Sequence, residues 1–160
     1  MSVDDSIRAQ LSKSLSWREA HAGFDAAVAD LAPELRARRV DVLPYSAWEL
    51  VEHVRLTQFD ILDFCVNASY KERAWPADYW PPPDEAPTAA AWTASIAQYH
   101  RDRTTLQRLA ENPAIDLLAP IPHGSGQTYL REILLVLDHT SYHVGQLVLL
   151  RRLLGAWATA

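Results

Sequence analysis

Apolar residues recur at three- and four-residue intervals along four long segments of the chain, and no segment alternates strictly enough to read as a strand. The first segment runs roughly from Asp4 to Leu31. Leu11, Leu15, Phe24, Val28 and Leu31 share part of one stripe there, and Pro33 follows closely. The second opens at Ser46, where Ser46-Ala47-Trp48-Glu49 has the form of a capping box, and continues to about Val66. The third runs from about Pro87 to Glu111 and stops before Pro113. The fourth runs from Gln127 or Thr128 to Leu154, with Gly155 where helices end. Between Ala74 and Pro87 stand five of the chain's ten prolines among Trp75, Tyr79 and Trp80. Helix is excluded there, and an extended aromatic-rich loop is predicted. A second loop, Ala119 to Gly126, precedes the last helix. The pattern predicts an all-α fold: an antiparallel four-helix bundle in one domain, residues 1–160, with two longer Pro-rich loops that would border a site mouth.

The fourth helix is apolar on two sides. At 100° per residue, Leu135, His139, His143, Gln146, Leu150 and Leu153 cluster in one direction, and Leu130, Leu134, Leu137, Val144 and Val148 in the opposite one. An outer helix of a monomeric bundle needs a single apolar stripe. Two stripes predict a central helix or a second buried contact, read here as a homodimer interface.

Composition narrows the class. The 160 residues are 49% hydrophobic and 22% charged, which suits a chain that buries a core and stays soluble. The net charge of −5, from 20 acidic against 15 basic side chains, gives no clustered positive excess and predicts no nucleic-acid partner. The single cysteine, Cys65, cannot form an internal disulfide. Met1 leads into Asp4, Asp5 and Arg8 without an apolar run for a signal peptide. No stretch reads as the roughly 20 apolar residues that span a bilayer. The expectation is a cytoplasmic globular protein that uses no membrane.

Candidate chemistry gathers on histidines. His139 and His143, spaced i and i+4, lie about 40° apart around the helix and one turn along it, so two imidazoles can reach one metal ion. Hydrogen-bonded core histidines are the alternative. The same face carries Gln146 among leucines, and burying two unliganded imidazoles side by side is costly. A third ligand has to come from another helix, and His53 stands on the apolar face of Leu50, Leu56, Ile61 and Phe64. Glu49 and Asp60 project near that direction, as acceptors for an imidazole or as a cap and a solvated residue. Three nitrogens leave coordination positions open for water or substrate, the catalytic pattern, and suit zinc, nickel, iron(II) or copper.

The stretch from Leu137 to Leu147, with a histidine, three residues, a second histidine, one residue and then Gly-Gln, resembles the terminal-helix signature of the DinB-like, YfiT-type superfamily. Trp48-Glu49-Leu50-Val51-Glu52-His53 resembles the segment that supplies that family's first histidine, and Pro122 to Thr128 fits the loop of a subgroup. The likeness covers about Leu43 to Trp157. It implies a four-helix bundle, usually dimeric, with a divalent metal held by His53, His139 and His143. Members include S-transferases and isomerases that use low-molecular-weight thiols, and others described as metal-dependent hydrolases. Many relatives carry arginine after the second histidine. Val144 stands there instead, which removes one contact to an anionic group.

Three function classes follow. The first is a metal-dependent enzyme acting on a small molecule. Gln146 would steer a metal-bound water or substrate. Hydrolysis would call on Asp60 as base, and thiol transfer on a basic rim of Arg55, Arg73 or Arg131. The second is a non-catalytic metal- or ligand-binding homodimer, and the third a structural bundle with hydrogen-bonded histidines. His123 reads as an exposed loop histidine or a mobile acid–base group, and His21 and His100 as surface or interface residues. Cys65 reads as a buried, inert thiol. Trp75, Tyr79 and Trp80 would wall a ligand pocket or plug one end of the bundle.

Overall fold

The computed structural model describes residues 2–83 and 85–157, so Asp84 of the proline-rich loop and the ends of the predicted 1–160 domain lie outside the described residues. Within them the fold is all-helical: α1 (Val3–Ser14), α2 (Phe24–Val28), α3 (Ala47–Val66), α4 (Ala89–Glu111) and α5 (Tyr129–Leu153). Two 3₁₀ turns, Pro33–Leu35 and Ala77–Tyr79, lie in the connections, and one isolated bridge pairs Pro120 with Thr128.

The expected first helix, Asp4 to Leu31, is two helices. Asp4 and Asp5 sit in the first turn of α1, and Asp5 closes a capping box with Ser2. The helix then stops at Ser14. Serine hydroxyls compete for its last carbonyls, Ser14 Oγ bonding Leu11 O at 2.7 Å, and Gly23 caps a fresh start at Phe24. The break swings Phe24 onto Tyr99, their rings stacked with centroids 3.8 Å apart. Leu11, Leu15, Phe24, Val28 and Leu31 are all buried nonetheless.

The other helices start on hydroxyl caps. Ser46 accepts from Glu49 N at 3.3 Å while Glu49 Oε2 accepts from Ser46 N at 2.7 Å, so the capping box read from sequence is formed. Thr88 and Thr128 cap α4 and α5. Past Leu153, Gly155 takes φ 68°, and the Ala156 and Gly155 amides bond Arg151 O and Arg152 O, a Schellman ending. The 3₁₀ turn at Ala77–Tyr79 departs from the fully extended loop expected there. It occupies the proline-free triplet before Trp80, and Asp78 Oδ2 accepts from Ala74 N at 2.9 Å to hold it.

α3 is the central element: 13 of its 20 residues are buried, and it packs against both α4 and α5. α1 lies on α4, and α2 on α5. Two apolar clusters result. One joins α2, the first half of α3, Trp92 and Tyr99 of α4, and the end of α5. The other joins α1 with the second half of α3, the end of α4 and the start of α5. Between the clusters lies a polar layer containing His53, Gln58, Asp102 and His143, all buried.

α5 bears on two expectations. Its two apolar stripes are the edges of one broad buried arc, because Ile133, Val136 and Leu147, which fall between them, are buried against the rest of the fold. Leu134 and Leu153 of those stripes are about half exposed. Tyr129–Leu153 is also long and apolar enough to cross a membrane by length and composition, a property it shares with core helices of soluble proteins. It nonetheless buries Glu132, His143 and Arg151 against protein.

Two buried arginines lock the helix ends. Arg8 donates to Ala110 O, Asn112 O and Ile115 O, joining α1 to the end of α4. Arg151 donates to Ala27 O and Ala29 O at 2.8 Å and to Ala156 O, covering the free carbonyls at the end of α2. We expect Arg151→Ala to lower unfolding free energy by about 2–4 kcal/mol in urea titrations, with Arg151→Lys recovering less than half, because one ammonium cannot span the same carbonyls. An unchanged midpoint for Arg151→Ala would contradict the assignment.

Candidate metal centre

His53 sits two turns into α3, and His139 and His143 stand one turn apart on the side of α5 that faces it. One ring nitrogen from each lies within 4.8 Å of the other two. His53 Nε2 and His139 Nε2 are 3.0 Å apart, and the three rings meet edge to face with centroids 4.4–4.9 Å apart. His53 and His143 are buried, and His139 is partly so.

The partners of the outer nitrogens fix which nitrogens face inward. His53 Nδ1–H donates to the Tyr79 carbonyl at 2.8 Å, and His143 Nδ1–H donates to Gln146 Oε1 at 2.7 Å. Each neutral ring therefore keeps its Nε2 lone pair for a ligand. Burial holds His53 down to about 4 and His139 down to about 3, the latter also opposed by its two neighbours, and burial lowers His143 as well. All three are neutral at pH 7, the protonation state a metal ligand needs. The set matches the expected His53, His139 and His143 cluster and fits a divalent ion that takes imidazole nitrogen.

Around the triad the proline-rich loop supplies a wall. The Trp80 ring lies flat on His53, 3.9 Å between centroids and 5° from parallel, and stands edge-on to His143. Trp75 stays outside, 72% exposed, against Tyr79. Tyr142 sets its ring across His143 at 4.9 Å. The loop is fastened by Asp60, whose Oδ2 accepts from the Tyr79 hydroxyl at 2.7 Å and whose Oδ1 accepts from Tyr70 at 3.1 Å, with Arg73 at 3.4 Å. The Tyr79 residue thus bonds Asp60 through its hydroxyl and His53 through its carbonyl.

Other residues singled out in the sequence lie elsewhere. Glu49 is committed to its cap and to Arg39. Arg55 pairs with Glu52, and Arg131 with Glu132. His123 Nε2–H donates to Phe64 O at 2.7 Å, and Phe64 is about 16 Å along α3 from His53. Gly124 lets that loop close: a side chain there would meet the Phe64 ring and Gln127 at 2.9 Å. Burial, then the charge of Glu132, pushes the Cys65 thiol up to about 12. The roles of Trp80 and Tyr142 carried no helical or motif signal; only the density of aromatics beside prolines pointed to the loop.

Comparison of the chain with protein-family models, with curated proteins and with solved structures gives no match.

The depressed histidines set an acid limb. Each is neutral when folded but takes up a proton near pH 6.5 when unfolded, so their contribution is fully present above pH 6.5 and is lost as pH falls toward 4 and then 3. Chelator-treated protein should lose stability over that window. His139→Gln should lower the proton uptake on unfolding by about one. Urea unfolding at stepped pH measures this, and a slope unchanged by His139→Gln would contradict a neutral, buried ring.

Proposed function

We propose that this chain is a DinB-like four-helix bundle that holds a divalent metal ion, zinc, nickel or iron(II), on His53, His139 and His143. It acts as a metal-dependent enzyme on a small-molecule substrate, in the cytoplasm and as a homodimer. The observation that carries the proposal is the convergence of three neutral imidazoles on one point from two helices. The resemblance of the Leu137–Leu147 stretch to the family signature adds support, because its two histidines are those ligands and its glutamine is the hydrogen-bond partner of the second.

A bound ion would supply Lewis acidity to whatever oxygen or sulfur donor fills its remaining positions. The protein's own groups do the positioning. The Tyr79 carbonyl and the Trp80 face fix the His53 ring, and Gln146 fixes His143. Trp80 keeps water from one side of the cluster. Asp60 is occupied by two phenols and an arginine, and among the described residues no carboxylate joins the three imidazoles. That favours S-transfer from a low-molecular-weight thiol over hydrolysis with Asp60 as base. A non-catalytic metal-binding homodimer is the second reading, favoured by the close stacking of Trp80 over the triad.

Elemental analysis of untagged protein, chelated and then reloaded with zinc, nickel or iron(II), should find about one equivalent per chain. His143→Ala should empty the site while the far-ultraviolet helical signal stays. A full equivalent retained by that variant would overturn the triad. Gln146→Leu should weaken binding by about ten- to a hundred-fold. Turnover of thiol acceptors by the loaded protein separates the enzyme from the second reading.

A further inference from the structure

α5 turns its buried arc inward, and its opposite face leaves large apolar side chains in solvent. Leu134 is 49% exposed, Tyr142 63%, Leu149 48% and Leu153 50%. α4 is nearly as long and leaves no large apolar side chain exposed; its outer face carries Thr93, Arg101, Thr104, Thr105 and Arg108. At the middle of the α5 face stands Gly145, itself exposed. Glycine inside a helix is destabilising relative to alanine, because it has more backbone freedom to lose. Nothing within the chain calls for it here. Gly145 does not take a positive φ, and a Cβ built on it meets no atom within 4 Å.

Complementary residues stand at matching distances on either side of Gly145. Asp138 lies seven residues before it and Arg152 seven after, each about 10.5 Å along the axis and within about 20° of the Gly145 direction. Both are exposed, and neither side chain has an ion-pair partner among the described residues. Ser141 lies four residues before Gly145 and Leu149 four after, small against large. Asp138, Ser141, Tyr142 and Gly145 are spaced i, i+3, i+4 and i+7, the corners of a hole that takes one side chain from a facing helix. With two copies of α5 antiparallel and crossing at Gly145, Leu149 of the second copy falls on that hole. Arg152 of the second copy then falls opposite Asp138. The two-fold axis makes each contact twice.

We propose that the outer face of α5 is the surface on which two copies of this chain pair, antiparallel about Gly145. The inference rests on the homodimer proposed above and names its interface. Charge and shape select the occupant. A lipid surface would cover the leucines but leave Asp138 and Arg152 without partners at the same depth, whereas a second copy pairs each with the other. The glycine, unexplained in the single chain, lets the two helix backbones approach at the crossing. Pairing also reaches the metal centre: the Tyr142 ring, set across His143 and otherwise exposed, is covered by Leu149 of the second copy and held against that ligand.

Sedimentation equilibrium of the full chain over about 1–100 μM, chelated and zinc-loaded, tests this. A dimer is expected in both. Gly145→Leu, for which the single chain has room, should weaken it about a hundred-fold while the far-ultraviolet helical signal is kept. Leu149→Asp, at a side chain 48% exposed, should dissociate it by a second route. Asp138→Arg and Arg152→Asp should each weaken the dimer about ten-fold, and the double variant should return to within about three-fold of the parent. A parent dimer indifferent to Gly145→Leu and Leu149→Asp would put the interface on another face and overturn this assignment alone. A double variant no tighter than the single ones would overturn the antiparallel pairing. A parent chain that stays monomeric throughout the range would overturn the assignment together with the homodimer. So would a monomer that floats with phosphatidylcholine–phosphatidylglycerol vesicles, which would give the face to lipid. Metal content, read separately, is expected to stay at about one equivalent per chain in the dissociated variants.

Discussion

Two imidazole nitrogens 3.0 Å apart, His53 Nε2 and His139 Nε2, need something between them. The Tyr79 carbonyl already holds the His53 proton on Nδ1, so His53 can offer only a lone pair to its neighbour. In the ion-free chain His139 must therefore place its own proton in that gap, donating from Nε2. A cation and that proton compete for one place. Binding an ion expels no ammonium and breaks no salt bridge; it moves the proton of neutral His139 from Nε2 to Nδ1. The low proton affinities of His53 and His139 come first from burial, which penalises an imidazolium away from water, and then from neighbouring imidazoles, His143 for His53 and both His143 and His53 for His139.

Holding that arrangement constrains the rest of the fold. The three rings and Gln58 interrupt the apolar core and divide it into two clusters, so each cluster must pack well by itself. The hinge of the support is Tyr79, on a loop whose described residues form no regular structure beyond one 3₁₀ turn. Its hydroxyl reaches Asp60 and its carbonyl reaches His53, seven residues and two turns apart on the same face of α3. α3 thus serves as a ruler: the loop is pinned at one point so that it meets the imidazole at the other. Trp80, the next residue, then has no choice but to lie on His53.

What the sequence made legible is what short-range chemistry encodes. The Ser46 cap, the Gly155 stop and the limits of the second helix follow from backbone groups satisfied within a few residues, and the histidine spacing on α5 from helix geometry alone. The break at Ser14–Gly23 was not legible, because the buried positions keep helical spacing on both sides of it and only the stacking of Phe24 on Tyr99, across the fold, rewards the change of direction. The engagement of Asp60 was hidden for the same reason: its partners Tyr70, Tyr79 and Arg73 come from a loop whose path no periodicity describes. Gln146 was read as facing substrate; it stands one turn from His143 as expected, with its oxygen on that ring.

The two apolar stripes of α5 can be reconsidered in this light. A helix packed on one neighbour needs an arc of about 100°. α5 buries a wider arc because it meets α3 on one side and α2 with the α1–α2 connection on the other. The histidines occupy one shoulder of that arc, and Thr140 and Val144 the other, one residue further on in each case. A helix can carry such unlike surfaces a residue apart because successive side chains point about 100° away from each other. The imidazoles therefore sit in a layer closed by Trp80, while the adjacent residues line a trough that opens to solvent past Leu134. Shifting the sequence of α5 by a single position would turn every side chain by about 100° and carry the histidines out of the layer that faces His53, so the register of this one helix against α3 decides where the nitrogen ligands stand.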